Sequence, residues 1–197
     1  MKLTFIICSI MLLGHLTCSA QTRGDVGDKT FEFGIYGGFI HGQGKTKIKG
    51  TDTSMEDSTN SGFIGVGVNT KISDHFYIEP FVQYAIWEED SFLFIPVHAK
   101  YYFGENFNVF VGPQVALGFV KDEEIPMDNF GLDASMGIGY DFLQNFFVSV
   151  RYCHQLTNRT PEPVALNEFL DGVPSFIKFD LESKVNTFHI AVGYRFM

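Results

Sequence analysis

Along Lys184 to Met197, KVNTFHIAVGYRFM, the side chains change character at every step: Phe188, Ile190, Val192, Tyr194 and Phe196 share one face, and Thr187, His189, Ala191, Gly193 and Arg195 the other. A period of two predicts a strand. One face is wholly apolar and aromatic while the opposite one is small or charged, so the two faces meet different surroundings. Phe31 to Ile40 repeats the pattern, with Phe31, Phe33, Ile35 and Phe39 against Glu32, Gly34, Tyr36 and Gly38. Gly62 to Ile72 sets Ile64, Val66 and Val68 against Gly65, Gly67, Asn69 and Lys71. Phe76 to Trp87 directs Ile78, Pro80, Val82, Tyr84 and Ile86 outward and Glu79, Phe81 and Gln83 inward. Phe92 to Phe103 keeps His98 and Lys100 inward, Phe107 to Val120 does the same with Asn108 and Gln114, and Phe146 to Thr157 with Arg151 and Cys153. Phe130 to Phe142 is the most regular, every apolar residue from Phe130 onward interleaving with Gly131, Asp133, Ser135, Gly137, Gly139 and Asp141.

These make about eight strands near the ~9 to 11 residues that a tilted strand needs to cross a bilayer. No apolar run in residues 21–197 approaches the ~20 residues of a membrane-spanning helix. Short turns at Ser73–His75, Gly104–Asn106 and Leu143–Asn145 alternate with larger connections at 42–61, where Lys45 to Lys49 is open to a short strand extension, and at 88–90, 121–128 and 158–183, the first and last of them long. All short turns therefore fall at one end. In hydrocarbon every backbone donor and acceptor must pair within the protein, and among β architectures only a closed barrel lacks an edge. The predicted fold is all-β, an eight-stranded antiparallel transmembrane barrel of the outer-membrane type, with strand eight pairing to strand one and both ends of the barrel chain on the periplasmic side. Pro80 and Pro113 each remove a ladder donor, which predicts bulges or wide spots there.

Lys2, the apolar run Leu3 to Leu13 and Cys18-Ser19-Ala20 predict a secretory signal over residues 1–20, followed by a short periplasmic segment 21–30 and the barrel 31–197. His15-Leu16-Thr17 is a poor lipoprotein cleavage site, so lipid attachment at Cys18 is not the favoured reading. Processing removes Cys8 and Cys18 and leaves Cys153 alone, without a disulfide partner. The net charge of −9 becomes −10 because Lys2 is lost, leaving 14 − 1 = 13 basic against 23 acidic residues. That balance speaks against nucleic acid as a partner. The exported chain is expected in the outer membrane of a Gram-negative cell, in contact with outer-membrane lipid and lipopolysaccharide and with the barrel assembly machinery during insertion.

The inward positions Glu32, Glu79, Lys100, Asp133, Asp141, Arg151 and Arg195, with Lys71, form the predicted polar network of the lumen. Enclosed charges persist only when paired and hydrogen-bonded. Glu79 is expected beside Lys100 across strands three and four, and Arg195 beside Glu32 once the barrel closes. An eight-stranded barrel is filled by its own side chains, so a structural plug is favoured over a proton or ion path.

No catalytic, cofactor or metal site is predicted. Acyl chemistry needs a nucleophile beside a His oriented by a carboxylate; His98 and His189 face inward within reach of Asp133 or Ser135, and interior packing is the simpler reading. His154 reads as an interfacial residue. The acidic runs 88–90 and 122–124 lack calcium-loop spacing and read as solvated loops. Gly65-Val66-Gly67 and Gly137-Ile138-Gly139 sit inside strands and do not continue as nucleotide loops. In 158–183, Pro163 is placed to open a short helix through Leu170 ending at Gly172, and Phe176 to Leu181 alternates as a strand extension. Its apolar residues suit either a contact with a protein partner or a lid over the barrel mouth.

Phe92 to Phe119, FLFIPVHAKYYFGENFNVFVGPQVALGF, with its Ile-Pro, Lys-Tyr-Tyr-Phe-Gly and Val-Gly-Pro elements, resembles the outer membrane β-barrel domain family typical of Bacteroidota, which includes the PorT-like proteins. NFGLDASMGIGYDF, VRY and the terminal GYRF fit the same resemblance. It implies the barrel and its location, and, through PorT, a link to type IX secretion; no functional residue is carried over. The expected role is structural, binding or accessory to secretion rather than catalytic, with a small passive pore and a lipid-modifying enzyme as alternatives.

Overall fold

The computed structural model describes residues 31–48, 54–87, 90–119, 129–142, 145–158, 164–165, 178–179 and 181–196. The strands are β1 (Phe31–Ile48), β2 (Ser54–Lys71), β3 (Phe76–Trp87), β4 (Asp90–Phe103), β5 (Phe107–Phe119), β6 (Phe130–Phe142), β7 (Phe146–Gln155), β8 (Val164–Ala165), β9 (Lys178–Phe179) and β10 (Leu181–Phe196). Eight of them close into an antiparallel barrel in the order β1-β10-β7-β6-β5-β4-β3-β2. The closing pair runs from Phe33 opposite Phe196 to Ile48 opposite Leu181. The predicted signal peptide and the segment 21–30 lie outside the described residues.

Alternation places the large apolar side chains on the outer wall: Phe33 is 63% exposed, Ile64 71% and Val111 58%, and the same holds for Met136, Ile138, Ile190 and Val192. A water-facing surface would not carry this continuous apolar band; hydrocarbon is the solvent it matches. At the end with the short turns 72–75 and 104–106 and the connection from β6 to β7, outward rings stand in a row. Tyr101 packs edge-on to Phe103 at 5.0 Å, Phe146 to Tyr194 at 5.0 Å and Tyr194 to Phe196 at 5.1 Å. Such a girdle marks where hydrocarbon gives way to headgroups. Gly104 takes φ +74° in the β4–β5 turn, where a side chain would be strained.

Three expectations are corrected. The loop expected over 42–61 is largely strand: β1 and β2 each run 18 residues, and cross-strand pairing continues to Lys47 opposite Ser54. The connection expected at 88–90 is shorter, because Asp90 pairs with Trp87 and the linking residues are 88–89. In both places ladder hydrogen bonds continue beyond the apolar band on polar side chains, where hydrophobic alternation gives no signal. The helix expected from Pro163 begins instead as β8, whose Val164 and Ala165 pair with Phe179 and Lys178; the remainder of that stretch lies outside the described residues. A proline at a first helical position permits a helix without imposing one, and β-branched Val164 suits the ladder.

The prolines interrupt ladders without shifting them. Around Pro80, Gly67 opposite Phe81 and Thr70 opposite Ile78 hold one register, so no residue is inserted and no bulge forms. Pairing lapses likewise between β4 and β5 at Pro113, and between β3 and β4 at Pro96, a third proline of the same kind. The Gly112 carbonyl, out of the β4–β5 ladder, accepts instead from the Ser135 hydroxyl at 2.8 Å.

Candidate functional site

Inward parity brings the chain's buried chemistry into one lumen, arranged in layers. Nearest the turn end, Arg195 pairs with Asp141, whose same oxygen accepts from the Tyr102 hydroxyl at 2.9 Å. Arg195 Nε lies 3.9 Å from Glu32, which accepts from the Asn69 amide at 2.9 Å. Deeper, Lys100 donates to Glu79 at 2.7 Å, and a second Arg195 nitrogen stands 3.9 Å from the same carboxylate. Aromatic rings floor these cations. The Arg195 guanidinium lies 4.4 Å from the Phe147 centroid, and Lys100 Nζ lies 5.8 and 5.9 Å from Phe147 and Phe110. Both rings fit because the neighbouring strand has glycine there: a Cβ on Gly193 would meet Phe147 at 2.4 Å, and one on Gly137 would meet Phe110 at 2.4 Å.

The middle layer is polar and buried. Arg151 donates to Gln83 Oε1 at 2.6 Å and approaches His189 Nδ1 at 2.8 Å, while the Gln83 amide nitrogen lies 3.1 Å from the same imidazole nitrogen. Two donors on Nδ1 put the His189 proton on Nε2, which donates to Thr187 Oγ at 2.7 Å. Gln114 donates to Asp133 at 2.8 Å and accepts weakly from the Cys153 thiol at 3.6 Å. Asp133 thus sits apart from the Glu79 and Asp141 pairs, and Arg151 has no carboxylate at ion-pair distance among the described residues.

Next comes an apolar layer. Ile40, Phe63, Ala85, Phe94, Ala116 and Ala191, from six different strands, pack across the bore with Tyr36 and Phe92 against them. Phe63 and Phe94 approach the His189 ring at 6.0 and 5.9 Å. The inward parity of Phe110 and Phe147 was readable beside Asn108 and Ser149. The pairing of Arg195 with Asp141, 54 residues apart, was not.

Glu79, His98 and Ser135 stand in the order of a hydrolytic triad, with His98 Nδ1 3.9 Å from Glu79 and His98 Nε2 2.9 Å from Ser135. Ser135 donates to the Gly112 carbonyl at 2.8 Å and is fully buried in the lumen, where no substrate reaches it without opening the packing around it. His154 lies outside this set; it is exposed and bonded to Asn186 at 2.9 Å. Among the described residues no three His, Cys, Asp or Glu side chains stand together to hold a metal.

No family model matches the sequence, and no curated protein matches it significantly. Among solved structures the barrel is similar to Ail, the attachment invasion locus protein of Yersinia pestis, crystallised with a heparin analogue, at 14% identity over 85% of this chain and 100% of that one, TM-score 0.46. It is similar to the outer membrane protein OprG from Pseudomonas aeruginosa at 16% identity over 86% of this chain and 98% of that one, TM-score 0.46. Neisserial surface protein A gives 10% identity over 83% of this chain and 97% of that one, TM-score 0.46.

Proposed function

We propose that the chain is an integral outer-membrane barrel with a closed lumen, acting as a rigid mount for a binding surface at the end opposite the short turns. The observation that carries this reading is the succession of layers across the bore: ion pairs around Glu79, Lys100 and Arg195, then the apolar layer of Ile40, Phe63 and Phe94. A hydrated ion would have to shed its water at the second layer and break pairs at the first. The outer apolar band and aromatic girdle support the membrane setting, and the short turns then face the periplasm.

The binding surface is the part of β10, β1 and β2 that rises past the band. It is polar and internally tied: His41 bonds Asn60 at 2.8 Å, Lys45 pairs with Glu56, and Lys184 with Glu182 at 2.8 Å. On its β10 flank the backbone nitrogens of Ser183 and Val185 are capped by Asn158 and Gln155 at 2.9 and 2.7 Å. The Phe92–Phe119 motifs support kinship with the PorT-like barrels of Bacteroidota, and hence an accessory place beside a secretion or surface-assembly partner, reached through this extension and the adjoining segment 158–183.

The test is a gentle detergent pull-down with mass spectrometry on the native protein, on a deletion of residues 160–180 and on a variant with residues 43–58 replaced by a two-residue turn. Loss of a specific partner in either variant supports the reading. An unchanged partner set in both removes the extension and the loop as the working surface.

A further inference from the structure

Three lumen cations are deeply buried, and one of them is unlike the others. Lys100 and Arg195 each face a carboxylate, whereas Arg151, 5% exposed, is bonded to the uncharged Gln83 and His189, interacts with the Cys153 thiol and lies 5.1 Å from the face of Phe81, with no carboxylate at ion-pair distance among the described residues. Its Nε–H has no acceptor. A buried guanidinium without a counter-charge is costly, and so is a buried donor left unmade.

Arg151 borders a cavity in the lumen of about 30 Å³, whose wall includes Tyr36, Glu79, Phe81, His98 and Lys100. The Tyr36 hydroxyl is buried and also lacks a partner. With His98 Nδ1, also unpartnered, three unanswered polar atoms belong to residues that border the same space, two of them donors, Arg151 Nε–H and the Tyr36 hydroxyl. The ionised side chains on its wall are two cations, Lys100 and Arg151, and one carboxylate, Glu79, which leaves one positive charge; His98 adds no negative charge in either protonation state. The volume admits one or two water-sized particles.

We infer that this cavity is a binding site for a single monovalent anion of halide size, held by Arg151 Nε–H and the Tyr36 hydroxyl. A water molecule answers the two donors but leaves the charge; an anion answers both. The bound ion ties β7 to β1 through the middle of the barrel and completes the plug, so barrel stability rises with halide concentration.

The test uses the full barrel refolded in detergent in sodium gluconate and exchanged into sodium bromide at constant ionic strength. Crystals should show one anomalous bromine peak in contact with Arg151 Nε and Tyr36 Oη. In solution the thermal midpoint should climb with the logarithm of bromide concentration. The climb should be weakened in Tyr36→Phe and lost in Arg151→Met. Should Arg151→Met fail to fold, Tyr36→Phe carries the comparison, since it keeps the ring that packs on Phe81 and Phe147 at 5.1 and 5.9 Å. A cavity peak without anomalous signal is water and overturns the inference, as does no peak. A bromine peak with no halide dependence of the midpoint is an adventitious ion only, and likewise overturns it. So does a midpoint that responds to bromide equally in wild type and Tyr36→Phe.

Discussion

Lys100 Nζ lies 2.7 Å from Glu79 Oε1 across the β3–β4 pair, with 4% and 11% of the two side chains exposed. Such a pair is a poor source of net stability and a heavy penalty when broken, because the remaining charge is stranded. Glu79→Gln and Lys100→Met alone should each cost about 3–5 kcal/mol. The double variant should recover most of that loss. Urea unfolding of the four proteins in lipid vesicles checks the cycle; additive losses would mean that the two groups do not depend on one another.

The aromatic floor makes its own prediction. Gly193→Ala places a methyl 2.4 Å from the Phe147 ring, and Gly137→Ala places one 2.3 Å from the Val150 carbonyl oxygen and 2.4 Å from the Phe110 ring. Each should destabilise the barrel by about 1–3 kcal/mol through overpacking. Adding Phe147→Leu to Gly193→Ala should relieve part of that cost, read again by unfolding in vesicles.

Met136 is 54% exposed and lies mid-way along β6 on the outer wall. Met136→Arg should cost about 2–4 kcal/mol in a bilayer, as a cation near the midplane does. Ser58→Arg, on the exposed polar part of β2, should stay within about 0.5 kcal/mol. Equal effects at the two positions would contradict a lipid-facing outer wall.

The order Glu79, His98, Ser135 should yield no hydrolytic activity. A fluorophosphonate probe should leave Ser135 unlabelled in the folded barrel, and p-nitrophenyl ester turnover should be the same in wild type and Ser135→Ala. Labelling of Ser135 would contradict its burial beyond the reach of substrate.

Beyond the apolar band, the hydrogen bond and charge of Lys45 hold the Glu56 carboxyl below its ordinary value. A carboxyl lowered on folding adds stability above its unfolded pKa and loses it as the pH falls through the folded one. Because Glu56 is fully exposed, the effect should be small and should fade with salt. Carbon-detected NMR titration should show Glu56 returning to the ordinary carboxylate range in Lys45→Ala.

How far the sequence revealed this depended on the solvent each residue meets. β6 is found over Phe130–Phe142 as predicted, because lipid on one side and a narrow lumen on the other force an unbroken alternation. Above the band that contrast vanishes: Gln43, Lys45 and Lys47 alternate with Gly42, Gly44 and Thr46, and a strand of all-polar residues reads as a loop. The bore's apolar layer was hidden for the opposite reason, since Phe92-Leu93-Phe94-Ile95 is apolar at both parities. Pairing of Glu79 with Lys100 follows from one hairpin. Arg151 and His189 are direct partners on the neighbouring strands β7 and β10, a register that the long connection between them does not announce, and Arg195 meets Asp141 across the intervening β7, a stagger that no local pattern encodes.

The most direct test of the sealed lumen is single-channel recording of the folded barrel in planar lipid bilayers in molar potassium chloride. A silent membrane at ordinary holding potentials, with steady openings appearing only when Phe63 and Phe94 are cut to alanine together with Glu79→Gln and Lys100→Ala, is the predicted result. Stable openings from the unaltered protein would contradict it.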